Sequence, residues 1–169
     1  MKYTEKLIKD NEFLAVLKEI EEVEKTRIYC RHTLPHLLDV CRIAWIIRLE
    51  RKAGAADTAE TTAQKDLYYL TGLLHDIGRA EQAKTGEDHK IAGTRIAQRI
   101  LNRTGCPPDW QEQIIRTIQR HGRRSHPEEI SQLEADIIAA DQISRNCFVC
   151  KASDSCKWHE DEKNQSIRF

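Results

Sequence analysis

Six residues share one physical oddity: His36, the adjacent pair His75 and Asp76, His89, His121 and Asp141. Each falls at or near one end of an expected helix and continues its apolar stripe. An imidazole or carboxylate on such a stripe is costly unless it has a partner. One lone histidine there is more often a hydrogen-bonded core residue than a ligand. Six inward groups of ligand type together suggest a shared partner, and a metal ion is the simplest.

The elements that must position them are helical. Glycine and proline are few and strand-type alternation is missing, so the sequence reads as all-α, a bundle of about six helices with an irregular Cys-bearing tail. A first helix is expected from about Thr4 to Lys25, with a break near Asn11. A second runs from about Thr33 to Arg51, with Pro35 tolerated in its first turn. The stretch AGAADTAETT reads as a loop. The third helix, about Ala63 to Ile77, is apolar nearly all round and should be central, with Gly78 as its C-cap. The segment RAEQAKTGE reads as a polar loop. A fourth helix starts at Asp88 as N-cap and ends before Gly105. A fifth runs from about Asp109 to His121, with Gly122 as C-cap. A sixth follows Pro127 and runs to about Ser144.

The stripes carry the six residues. His36, Val40, Ile43 and Ile47 lie at helical spacing on the second helix. His89, Ala92, Gly93 and Ile96 do so on the fourth, Trp110, Ile114, Ile118 and His121 on the fifth, and Ile130, Leu133, Ile137 and Asp141 on the sixth. His75 and Asp76 end the third helix, where unpaired carbonyls favour a nearby cation.

Composition narrows the class. The chain has 169 residues, enough for one domain with a real core. Its formal net charge is zero although 32% of its residues are charged, which argues against an extended nucleic-acid or membrane surface. No segment approaches the roughly 20 apolar residues of a membrane span. The opening MKYTEKLIKDNEF has no signal-type apolar run, so a cytoplasmic protein is expected. Of the six cysteines, Cys30, Cys41 and Cys106 read as small apolar thiols.

The order His, His-Asp, Asp resembles the HD superfamily of metal-dependent phosphohydrolases. The matching segments are HLLDVCRIA from His36, LTGLLHDIGR around His75 and Asp76, and AADQISR around Asp141. The two further histidines, in EDHKIAG and QRHGRRSH, are similar to the second metal site of the binuclear branch. That branch includes HD-GYP cyclic dinucleotide phosphodiesterases and bacterial HD-type diadenosine tetraphosphate hydrolases. The GYP motif is missing here, and size and spacing are similar to the latter.

The resemblance implies one metal on His36, His75, Asp76 and Asp141, and a second on Asp76, His89 and His121, with Asp76 bridging. It also implies a metal-activated water as nucleophile, with Asp76 and Arg79 as the catalytic pair. One departure is Gly122, where some binuclear relatives carry another histidine. Mixed His and carboxylate ligation favours Fe or Mn, with Ni, Zn and Mg as alternatives. Arg79, directly after the HDIG turn, would offer a bidentate fork to phosphate. Arg123, Arg124 and Arg145 are further phosphate candidates.

Two features stand apart. His32 lies four residues before His36 and looks like a ligand partner. Pro35 places the helix start near Thr33, however, so His32 is left out of the ligand set. His126, before Pro127, reads as a surface residue.

In the tail, Cys147, Cys150, Cys156 and His159 have the spacing Cys-x2-Cys-x5-Cys-x2-His. Two such pairs can wrap one tetrahedral structural zinc. The competing reading is a set of reduced thiols in a tail anchored by Phe148 and Trp158.

The sequence thus reads as an HD phosphohydrolase domain over residues 1–145 with a Cys-rich tail over 146–169. The expected substrate is a nucleotide or related small phosphorylated molecule, with dinucleoside polyphosphates slightly favoured. The alternatives are a non-catalytic metal-dependent nucleotide sensor and a zinc-stabilised interaction module.

Overall fold

The structure, a computed structural model, describes residues 1–52, 59–122 and 130–169, with backbone alone at 59 and 60. Among these residues it is all-α, without strands. The helices are α1 (Lys2–Leu7), α2 (Asn11–Val23), α3 (Leu34–Arg51), α4 (Ala59–Leu74), α5 (Arg79–Thr85), α6 (His89–Thr104), α7 (Pro108–Arg120) and α8 (Gln132–Ile143). Three short 3-10 turns follow in the tail.

The expected first helix is two. Asp10 stops α1 and starts α2, because its side chain accepts from the Phe13 N–H and satisfies a free donor of the new helix. Helix α4 begins at Ala59, earlier than expected. Part of AGAADTAETT is therefore helical, while residues 53–58 lie outside the described chain. The segment after Gly78 is not a loop. Residues Arg79–Thr85 form α5, closed by Gly86 in the left-handed conformation. The sixth expected helix starts at Ser131. There Ser131 and Glu134 form a reciprocal capping box, while Pro127 lies outside the described residues.

Helix α4 is central, as its all-round apolar character predicts. It packs against α1, α3, α7 and α8, with Leu67, Leu70, Leu73 and Leu74 buried. Two buried carboxylates inside the bundle are paired. Asp66 of α4 accepts from the Tyr3 and Thr4 N–H groups at 2.8 Å each, so α4 caps the start of α1. Asp136 of α8 is 1% exposed yet receives Arg51, Tyr68 and Gln132.

Gly78 does not cap α4 as expected. Its φ is −84°, so it needs no left-handed freedom, and it serves as the N-cap of α5. The glycine answers a different demand. A Cβ there would lie 2.0 Å from the His89 carbonyl oxygen and 2.5 Å from the Gly93 nitrogen. This close approach brings the start of α6, and His89 with it, against the end of α4.

Candidate metal centre

All six sequence-selected residues come from helix ends that meet at one place. His36 stands in the first turn of α3, His89 opens α6, and His121 follows α7 as its C-cap. Gly122, at φ +72°, turns the chain away directly after it. Asp141 lies in the last turn of α8. His75 and Asp76 follow the last residue of α4 and are 0% and 1% exposed.

The Asp76 carboxylate divides the site. Its Oδ2 lies 3.4 Å from His75 Nε2 and 4.0 Å from His36 Nε2. Its Oδ1 lies 3.2 Å from His121 Nε2 and 3.4 Å from His89 Nε2. Asp141 Oδ1 closes the first group, 3.4 Å from His36 Nε2 and 4.0 Å from His75 Nε2. Thus His36, His75 and Asp76 form one set of converging donor atoms, and Asp76, His89 and His121 form another.

Hydrogen bonds on the far side of the rings settle what the near side offers. His75 Nδ1 donates to the Gly72 carbonyl at 2.7 Å, and His121 Nδ1 donates to the Ile118 carbonyl at 2.6 Å. Ser144 Oγ gives its proton to the Asp141 carbonyl, so it accepts from His36 Nδ1 at 3.2 Å. Each ring therefore presents a bare Nε2 lone pair inward. This is how metal-binding imidazoles are oriented.

Apart from Arg79, the groups that face inward are acceptors without donors. His36 Nε2 and His75 Nε2 are buried and have no hydrogen-bond partner. His89 Nε2 and His121 Nε2 face each other at 3.3 Å. Converging lone pairs and carboxylate oxygens repel unless a cation lies among them, so the residues present fit a divalent metal.

The electrostatics keep the ligands in binding form. Burial pushes His36 down to about 4, helped by the neighbouring His75. Burial, followed by the Arg79 charge, does the same for His89, to about 4. Burial also lowers His75. Desolvation favours a protonated Asp76, but the neighbouring His75, His121 and Arg79 together outweigh it. The carboxyl is held well below the usual carboxylate range.

Arg79 is not simply a phosphate fork. Its Nε donates to Asp76 Oδ1 at 2.8 Å and its Nη2 lies 3.4 Å from Oδ2, while the side chain also lines a cavity above the centre. Arg79 thus shares Oδ1 with the second donor set. Arg145 stands on the opposite side of that cavity. Its planar guanidinium lies over the Trp158 ring, 4.2 Å from the centroid, and its buried Nη1 has no partner. Arg123, Arg124 and His126 lie outside the described residues.

His32 is the residue that sequence reasoning missed. It does precede α3, as Pro35 implied, yet it is buried beside the centre. Its Nδ1 meets buried Glu24 at 2.8 Å, and its Nε2 lies 3.8 Å from Asp76 Oδ2. The imidazoles of His32, His36, His75, His121 and His89 follow one another ring to ring, with centroids 5.2–5.4 Å apart. The four-residue spacing to His36 was the available signal. The partner that holds the ring, Glu24, lies on the far side of a chain reversal.

The cavity above the centre has a volume of about 320 Å³. The metal-centre face contributes His32, His36, Arg79 and Asp141; the outer wall is Arg27, Tyr29, Cys30, Arg145, Lys157 and Trp158, with Ser155 and Cys156. Four cationic side chains therefore surround a centre of imidazoles and carboxylates, an arrangement suited to holding an anion against a metal.

Three comparisons bear on this geometry. An uncharacterized protein of Clostridium beijerinckii is 35% identical over 163 residues, 96% of each chain. The bifunctional uridylyltransferase/uridylyl-removing enzyme of Nitrobacter hamburgensis is 39% identical over 57 residues, 34% of this chain and 6% of that enzyme. The crystal structure of a predicted HD superfamily hydrolase from an uncultured Thermotogales bacterium superposes with a TM-score of 0.58 at 22% identity. The overlap covers 88% of this chain and 79% of the other. The HD domain family matches residues 33–146, a span that holds every donor from His36 to Asp141. By that match, and by the site it encloses, the chain belongs to the HD domain family.

Proposed function

We propose that this protein is a metal-dependent phosphohydrolase acting on a nucleotide or related small phosphorylated molecule. One observation carries the reading. The two oxygens of Asp76 face two different imidazole sets, and His36 and Asp141 of the first set line a cavity with cationic walls. His36, His75, Asp76 and Asp141 would hold one ion. Asp76, His89 and His121 would hold a second. A divalent ion at such a site supplies an acidified water and charge neutralisation for phosphoryl oxygens.

The chain's own residues would do the rest. Arg145, through its unpartnered Nη1, and Lys157 bind phosphate oxygens. Arg79 turns between Asp76 and the substrate. His32, oriented by Glu24 at Nδ1, offers Nε2 at the cavity wall, where it can hold or pass a proton to a departing oxygen. Trp158 and Tyr29 provide an aromatic wall for a base.

At about 320 Å³ the cavity is at the small end of ligand sites, which run from roughly 300 to 1,000 Å³. That size favours one nucleotide-sized unit over a whole dinucleoside polyphosphate. The likeness to a uridylyl-removing enzyme keeps nucleotidyl phosphodiesters among the candidates.

The test is a phosphate-release screen over mononucleotides, dinucleoside polyphosphates and nucleotidyl esters, with Mn, Fe, Zn or Mg added. Turnover of at least one substrate, lost in Asp76→Ala, supports the proposal. Tight nucleotide binding without turnover under every metal favours a sensor. One feature speaks for that second reading: the Arg79 contact to Asp76 Oδ1 keeps one face of the bridging carboxylate engaged.

A further inference from the structure

Cys30 does not behave as the buried apolar thiol its sequence context suggests. Cys41 and Cys106 do; both are buried, and desolvation raises the Cys106 thiol to about 12. Cys30 is only part-buried, as are Cys147, Cys150 and Cys156. All four are free thiols.

The chain brings Cys30 to the tail. Tyr29 Oη donates to the Ser155 carbonyl at 3.2 Å, which ties the neighbour of Cys30 to the neighbour of Cys156. Cys30 and Cys156 line the same cavity wall. Arg27 Nε donates to the Cys30 carbonyl at 2.8 Å and fixes the loop that carries it. The Cys30 thiol is raised by burial and then by the charges of Cys147, Cys150 and Cys156, with Arg145 acting the other way. Cys30 thus shares one electrostatic environment with all three tail cysteines.

Short turns shape the tail. Cys147 and Cys150 bracket a 3-10 turn in which the Cys150 N–H donates to the Cys147 carbonyl at 3.1 Å. A second turn then delivers Cys156, whose N–H donates to Ser153. His159, the fourth ligand suggested by spacing, is exposed, and its side chain caps the last 3-10 turn by accepting from the Glu162 N–H. Asn164 Nδ2 fastens the tail to the end of α8 by donating to the carbonyls of Gln142, Ile143 and Arg145.

We propose that Cys30, Cys147, Cys150 and Cys156 form a four-thiolate zinc site, distinct from the histidine centre, that clasps the tail over the catalytic cavity. Soft thiolates in a set of four select Zn over Mg or Mn. The sulfurs are not drawn as tightly as the histidine donors, since among the described residues the sets within 4.8 Å are the two around Asp76. Zn–S bonds near 2.3 Å in a tetrahedron place sulfurs about 3.8 Å apart. The short 3-10 turns are the parts that close that gap. Closure would hold Lys157 and Trp158, next in sequence to Cys156, as the outer wall of the cavity.

The experiment is metal analysis of the full-length chain together with cobalt substitution. One zinc equivalent is expected in wild type and in Asp76→Ala. It should be lost in Cys30→Ser and Cys150→Ser and kept in His159→Ala. Cobalt added to the apo wild-type protein should show thiolate-to-metal charge transfer at the intensity of four sulfurs, a reading that does not depend on any variant folding. Zinc kept in Cys30→Ser but lost in His159→Ala would overturn the assignment in favour of a tail-only site. So would a cobalt spectrum without thiolate bands, or a Cys30 disulfide in protein purified under reducing conditions.

Discussion

The histidine centre and the cysteine cluster solve the same problem in opposite ways. Around Asp76, donors project from the ends of five helices, and the packing of α3, α4, α6, α7 and α8 fixes them before anything binds. Three of the rings are further locked by carbonyl or hydroxyl partners. The cysteines sit on a loop and on two three-residue turns, with little buried around them. A centre on rigid elements is preorganised for exchangeable substrates and chemistry. A centre on short turns gains its order from the ion, as small zinc modules do.

The largest effect that would break the comparison is the loss of Asp76. Asp76→Ala removes the carboxylate common to both donor sets and is expected to lower phosphate release by more than about 100-fold, since even supporting partners of metal ligands are worth 10- to 100-fold. Zinc at the cysteines should stay. If metal analysis shows both centres emptied together, they are not independent.

Acid should separate the two regions as well. His36 and His89 titrate near 4 in the fold and near 6.5 when unfolded. The unfolded chain therefore binds more protons between these values, and stability falls as pH drops from about 6.5 toward 4. Thermal midpoints across pH 7.5 to 4.5 should decline by several degrees. Replacing His89 by Gln should flatten part of that decline. A flat wild-type profile would mean the imidazoles are not held neutral.

Arg79→Ala sharpens the account of Asp76. With Oδ1 freed, the second ion should bind more tightly, while affinity for a phosphorylated substrate falls by about tenfold, the size of one charge-assisted hydrogen bond. Titration calorimetry with Mn and with a nucleotide reads the two effects separately. Unchanged metal affinity would return Arg79 to a purely substrate-facing role.

Ser144→Ala is the smallest change. It removes the acceptor on His36 Nδ1 and is expected to weaken metal binding at the first set by about tenfold, with the fold intact. An equal loss of zinc at the cysteines would contradict their independence, because the Ser144 hydroxyl bonds to His36 and the Asp141 carbonyl.

Much of the centre was legible because it is built from local rules. Helical periodicity placed His36, His89, His121 and Asp141 on core-facing stripes, and caps at Asp88 and Gly105 marked α6 as read. The all-round apolar α4, delivering His75 and Asp76 at its end, needed only composition. These signals lie within one element, where geometry repeats every 3.6 residues. They also sufficed to show the family resemblance.

What the tertiary structure alone decided lies across chain reversals. Nothing near Gly78 announced that its missing side chain admits the backbone of α6 rather than ending α4. The pairing of His32 with Glu24 and the meeting of Cys30 with the tail each join groups whose separation is set by loop paths. A loop path is chosen by the summed packing of distant helices and not by a repeat in the chain. The sequence by itself therefore named the histidines and aspartates that converge at the candidate centre, while only the fold showed which residues orient them, contact them and cover them.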